Sequence, residues 1–140
     1  MTVQSKQDMR ALQEIGRIVA LTLQAMSAAL EEGITTQELD QMGRKILESY
    51  GARPAPELCY GYPGATCISI NEEVAHAIPG KRKIRDGDLV NIDVSAELNG
   101  YFADTGASIP FGHVTPVAKR LCAATQEALQ QALKVAKAGN

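Results

Sequence analysis

The sequence predicts an α/β (α+β) fold in which long helices pack on an antiparallel sheet with a central hairpin. Three observations carry this expectation. Apolar residues recur at helical spacing in the first fifty residues and again in the last twenty-five, an alternating pattern occupies residues 89–108, and Asn99-Gly100 sits in the middle of that pattern. A length of 140 residues suits one compact domain or one lobe of a larger one. The 45% hydrophobic and 21% charged side chains exclude a disordered or collagen-like chain.

Ser5 with Asp8 reads as an N-terminal cap, and Met9, Leu12, Ile15, Val19, Leu23, Met26 and Leu30 then follow helical spacing. A first helix is expected from about Ser5 to Glu32. Thr35 with Glu38 repeats the capping pattern, and Leu39, Met42, Ile46, Leu47 and Tyr50 form the apolar face of a shorter helix that stops at Gly51. The Arg53-Pro54-Ala55-Pro56 segment reads as a non-helical linker, because each proline biases the residue before it toward extended backbone. Thr66 to Ile70 reads as a short strand, Asn71 to Gly80 as a loop, and Lys81 to Asp88 as a charged surface turn. Leu89 to Leu98 and Tyr101 to Ser108 are the two hairpin strands. Thr115-Pro116 then opens a third helix carrying Leu121, Ala124, Leu129, Ala132 and Val135, which echoes the first.

Fourteen basic residues against sixteen acidic ones leave a net charge of -2 spread along the chain, so no footprint for nucleic acid or anionic membrane is expected. The longest uncharged stretch near the N-terminus, Ile18 to Leu30, is too short and polar to span a bilayer. Cysteines Cys59, Cys67 and Cys122 are odd in number and lack metal-type spacing, which suits a reducing compartment. A cytoplasmic protein is the expectation.

If Asn99 and Gly100 are the centre of a type I′ turn, Leu98 faces Tyr101, Asp93 faces Gly106 and Ser95 faces Asp104. Alternation then places Asp93, Ser95, Glu97, Phe102, Asp104 and Gly106 on one face, and Ile92, Val94, Ala96, Leu98, Tyr101 and Ala103 on the core face. Asp93 and Asp104 sit diagonally across the pair at roughly 7–8 Å, near enough for their carboxylates to share a divalent cation. The same spacing also fits two solvated acids on an exposed face, and two residues are too few ligands for a tight site. His76 lies in an apolar-flanked loop, where it could contact a substrate or simply be bonded into the loop. His113 is assigned to a solvated loop. Cys59, Tyr60, Gly61, Tyr62, Pro63 and Cys67 form a soft and aromatic cluster that could line a pocket for a thioether side chain or merely fill core space.

Three ordered segments, Thr66-Cys67-Ile68-Ser69-Ile70-Asn71-Glu72-Glu73-Val74-Ala75-His76-Ala77-Ile78-Pro79-Gly80, Gly87-Asp88-Leu89-Val90-Asn91-Ile92-Asp93-Val94 and Asn99-Gly100-Tyr101-Phe102-Ala103-Asp104-Thr105-Gly106, resemble type I methionine aminopeptidases. The resemblance covers essentially the whole chain, but only the N-terminal part of that family's catalytic domain. It implies half of a pita-bread fold: residues 1–140 form the N-terminal lobe, and 115–139 is the helix that would open the second half.

The resemblance further implies removal of the N-terminal methionine from nascent proteins by metal-assisted peptide hydrolysis. Two divalent metal ions would serve the complete site, with Co, Mn, Fe and Zn not distinguished. Asp93 and Asp104 would be metal ligands, His76 would contact the substrate near the scissile amide, and Tyr62 and Cys67 would help form the methionine pocket. The family's other ligands, one histidine and two glutamates, fall in the second half. Ala77 stands where glycine is usual, and Cys59 where a pocket tyrosine is common. Met1-Thr2 would itself suit a rule for small second residues. The partners implied are the N-terminal methionine of peptides or nascent chains, and either a complementing C-terminal half or a second copy of the chain, since a lone lobe would leave apolar surface uncovered. The competing expectation is a non-catalytic pita-bread-derived module that binds a peptide or protein; an aminopeptidase acting before proline is a further alternative.

Overall fold

The computed structural model describes residues 3–140; Met1 and Thr2, and with them the dipeptide just mentioned, lie outside the described residues. Helix α1 runs Lys6–Ala28 and α2 runs Thr36–Ser49, each opened by a reciprocal capping box, Ser5 with Asp8 and Thr35 with Glu38. In the first, Ser5 Oγ accepts from the Asp8 amide at 3.1 Å and the Asp8 carboxylate accepts from the Ser5 amide at 2.9 Å. Such caps satisfy amide donors that the first helical turn leaves without partners. Helix α1 stops four residues before Glu32, because the following turn bends at Gly33, whose φ is +92°.

The linker expectation for residues 53–56 requires correction. Arg53–Pro54 is a short strand, β1, and Ala55–Tyr60 is a short helix, α3, with Pro56 in its first turn. A proline there costs nothing in hydrogen bonding, since first-turn amides have no intrahelical acceptor. The remaining elements are β2 (Cys67–Ile70), β3 (Leu89–Leu98), β4 (Tyr101–Pro110) and α4 (Pro116–Val135).

Strand β4 pairs antiparallel with the full length of β3, from Leu98 with Tyr101 to Leu89 with Pro110. The other edge of β3 is shared by β1, opposite Ala96 and Glu97, and β2, opposite Val90 to Asp93. Asn99 and Gly100 both have positive φ, +52° and +86°, as a type I′ turn requires. The turn is held by Glu97, whose buried carboxylate accepts from the Gly100 amide and pairs with Arg53 at 2.7 Å.

The core lies between the sheet and the first two helices. Val90, Ile92, Val94 and Ala96 of β3 are fully buried against Ile15, Met26, Leu39 and Leu47. Each of these side chains larger than alanine contributes about 1.5–3 kcal/mol relative to exposure. Gly43 of α2 permits the close approach of α1, since a Cβ there would come within 2.6 Å of Met26 Sδ. Residues 81–88 are not purely a surface turn, because Ile84 is fully buried and exchanges backbone hydrogen bonds with Gly33 and Ile34. Helix α4 has the expected Thr115 cap and Pro116 start, yet none of its residues is buried. Among the described residues no helix is long and apolar enough to cross a membrane.

Candidate active site

The alternation that buries the even-numbered residues of β3 turns Asp93 and Ser95 to the opposite face. Asp104 of β4 joins them, because its register partner is Ser95. All three line a cavity of about 540 Å³ whose other walls come from Ala55, Pro56, Cys59 and Tyr60 of α3, Tyr62, Cys67 at the start of β2, His76, and Phe102 and Ala103 of β4. The structure therefore brings Asp93, Asp104, His76, Tyr62 and Cys67 to one cavity. His113 is not among them; it is exposed, with its amide and Nδ1 bonded to Asp86.

Asp93 is only partly exposed, and its carboxyl is pushed up from 3.8 to about 6. Burial is the main cause, followed by the hydrogen-bonding contact and charge of Asp104, while His76 acts in the opposite direction. The neighbouring carboxylate disfavours the charged form of Asp93, and a cation beside it would offset that effect. Tyr62 and Cys67 are also pushed up, both chiefly by burial. The Cys67 thiol is therefore held protonated, and thiolate chemistry has no support at this position.

The loop that carries His76 is pinned on both sides. Asn71 takes a left-handed φ of +55°, accepts from the Leu89 amide at 2.8 Å and donates to Asp88 at 2.8 Å. Glu73 accepts from the Ile70 amide at 2.8 Å and pairs with Arg82 at 2.7 Å. Beyond the histidine, the Ala77 carbonyl accepts from Tyr62 Oη at 2.7 Å and from the Ile68 amide at 3.3 Å, and its amide donates to Ser69 Oγ at 3.3 Å. Between these anchors His76 is exposed, with φ of +77°. That is uncommon backbone for a residue with a Cβ, and such strain persists only where surrounding bonds impose it.

Sequence reasoning passed over Asp40. Its buried carboxylate accepts from the Ala65 amide at 3.0 Å, the Thr66 amide at 2.8 Å and Thr66 Oγ1 at 2.8 Å, fixing the chain where it enters β2. The available signal was its place on the apolar face of α2, four residues after Thr36 and seven before Leu47, where an acid needs a partner. Ser95, Phe102, Ala103 and the α3 residues Ala55 and Pro56 were likewise not assigned to the cavity, whereas Cys59 and Tyr60 of the soft and aromatic cluster do line it.

The donor set fits a hard or borderline divalent cation in kind but not in number. Asp93 and Asp104 offer carboxylate oxygens on rigid strands, and their crowding is relieved by positive charge. Among the described residues, no three histidine, cysteine, aspartate or glutamate side chains converge to hold a metal. Further ligands must come from outside this group.

Residues 10–140 match the model of metallopeptidase family M24, and the chain belongs to that family. It is 46% identical over 140 residues to methionine aminopeptidase 2 of Bacillus subtilis, covering 99% of this chain and 56% of that protein. The crystal structure of methionine aminopeptidase from Thermotoga maritima matches with a TM-score of 0.92 at 29% identity, covering 98% of this chain and 55% of that one. The methionine aminopeptidase structure from Rickettsia prowazekii matches with a TM-score of 0.86 at 32% identity, covering 93% and 52% respectively. The arrangement of helices over an antiparallel sheet is that of the pita-bread metallopeptidases, and the chain spans about half the length of these relatives.

Proposed function

We propose that the chain supplies one lobe of a methionine aminopeptidase site, which removes the N-terminal methionine of peptides or nascent proteins by metal-assisted hydrolysis. The observation that carries this reading is the β3–β4 register, which pairs Ser95 with Asp104 and sets both aspartates on one wall of the cavity lined by Tyr62, Cys67 and His76. In this reading residues 1–140 form the N-terminal lobe, α4 opens the second half, and the reaction takes place in the cytoplasm.

Asp93 and Asp104 hold the metal, two ions in the complete site. When bound, divalent cations supply Lewis acidity, polarising the first carbonyl and lowering the pKa of the attacking water. The chain's own residues bind and orient. Tyr62 and Cys67, both protonated and partly withdrawn from solvent, offer a soft and aromatic surface to the methionine thioether. His76, exposed on its pinned loop, reaches the peptide beside the bond to be broken and donates or accepts a hydrogen bond there. The remaining ligands come from a complementing C-terminal half or a second copy of the chain. The rival reading, a non-catalytic pita-bread-derived module that binds a peptide or protein, requires no such completion.

The test is hydrolysis of a Met-Ala-Ser peptide with manganese or cobalt, for the wild-type chain and Asp104→Ala, each with and without the corresponding C-terminal half of a relative. Metal-dependent release of methionine that is lost in the variant is the expected result. No turnover in any combination, with no saturable metal binding, would leave the non-catalytic module as the better reading.

A further inference from the structure

Ser95 neighbours both aspartates on the cavity face of the hairpin. Its Cα partner across the hairpin is Asp104, and it follows Asp93 by two residues on the same face of β3. Directly facing residues of an antiparallel pair have Cβ atoms roughly 4.5–5.5 Å apart, within reach of a hydroxyl-to-carboxylate hydrogen bond. Ser95 is partly buried and lines the cavity with both acids. Two other serine hydroxyls of the sheet are engaged: Ser69 Oγ accepts from the Ala77 amide and Ser108 Oγ accepts from Asn91.

We infer that Ser95 is a positioning residue of the metal site, its hydroxyl donating to the Asp104 carboxylate when a cation is held and fixing the orientation in which that carboxylate serves as a ligand. The inference rests on the metal-binding reading of Asp93 and Asp104. The chemistry favours a hydroxyl at this position. Alanine would leave the Asp104 carboxylate without this donor, whereas threonine keeps the hydroxyl at the same position. Groups that bond a ligating carboxylate from behind hold its geometry, and their loss commonly weakens metal binding about 10–100-fold.

The experiment uses the full chain as wild type, Ser95→Ala and Ser95→Thr, with cobalt as the probe. Calorimetric affinity and the visible absorption bands of bound cobalt are the readouts, and circular dichroism confirms that all three fold alike. The expected result is binding about 10-fold weaker with altered bands for Ser95→Ala, and near wild-type values for Ser95→Thr, which restores the hydroxyl. Equal affinity and identical bands in wild type and Ser95→Ala would overturn the assignment of Ser95 while leaving the metal site intact. A wild-type chain that binds no cobalt, either alone or with the corresponding C-terminal half of a relative, would overturn the metal reading itself, and the inference with it.

Discussion

Tyr62 donates its hydroxyl hydrogen to the carbonyl of Ala77 at 2.7 Å, tying the exit of α3 to the residue that follows His76. The bond joins a pocket wall to the loop bearing the candidate substrate contact. Tyr62→Phe keeps the ring and removes the bond, so the chain should lose about 1 kcal/mol in urea denaturation. Amide exchange at residues 74–77 should accelerate more than the global loss explains, because the strained φ of His76 loses one of its restraints. Unchanged protection in that loop would contradict this role.

Asp40→Ala should be far more damaging than any change at the cavity. It leaves the Ala65 and Thr66 amides and Thr66 Oγ1 without their acceptor in a buried setting, at a cost of about 3 kcal/mol or more. Asp40→Asn keeps one acceptor oxygen and should fall between. Chemical denaturation midpoints of the three proteins give the order directly.

Asp93 sets a pH dependence whose sign is fixed. Its folded-state value, about 6, lies above its ordinary 3.8, so in that window the folded chain holds a proton that the unfolded chain has released. Its contribution to stability is therefore present at low pH and lost as pH rises from about 4 to about 6. Asp93→Asn lacks this contribution. Measured by urea denaturation, the stability of wild type relative to Asp93→Asn should decline across the window and level off above it. Manganese affinity of the wild type should move the opposite way, rising through about pH 6 as the metal competes with fewer protons. A difference curve that rises with pH would contradict the cause assigned to the shift.

Much of this arrangement was legible in the sequence. The hairpin register followed from Asn99-Gly100, because a type I′ turn leaves only one pairing, and that pairing put the two aspartates on one face. The caps of α1 and α2 followed from Ser5 with Asp8 and Thr35 with Glu38. Three features were not legible, each for a physical reason. Helix α3 was hidden by Pro54 and Pro56, since proline reads as a breaker although the first helical turn accepts it. The clamp on Ala77 depends on Tyr62 and Ser69, which lie fifteen and eight residues away and meet it only in three dimensions. The exposure of α4 could not be read from its pattern, which is as amphipathic as that of α1, whose apolar face is buried.

Helix α4 leads to a further expectation. Val117, Leu121, Leu129 and Leu133 are each more than half exposed, and apolar side chains in such numbers favour association. Wild type should elute above its monomer mass in size-exclusion chromatography with light scattering, whereas Leu121→Lys combined with Leu129→Lys should shift it toward monomer. Stability should change by only about 0.5 kcal/mol, because neither side chain is buried. A monomeric wild type would remove this expectation.

The central claim is that Asp93 and Asp104 hold a cation on the wall of the cavity, and paramagnetic broadening by manganese tests it most directly. Substoichiometric manganese added to the isotope-labelled chain should first erase the amide signals of residues 93–95 and 104–106, together with Cys67 and the His76 loop, which share that cavity. Broadening that begins instead around other acidic groups, such as Glu31, Glu32 or Asp86, and spares both hairpin strands would contradict it.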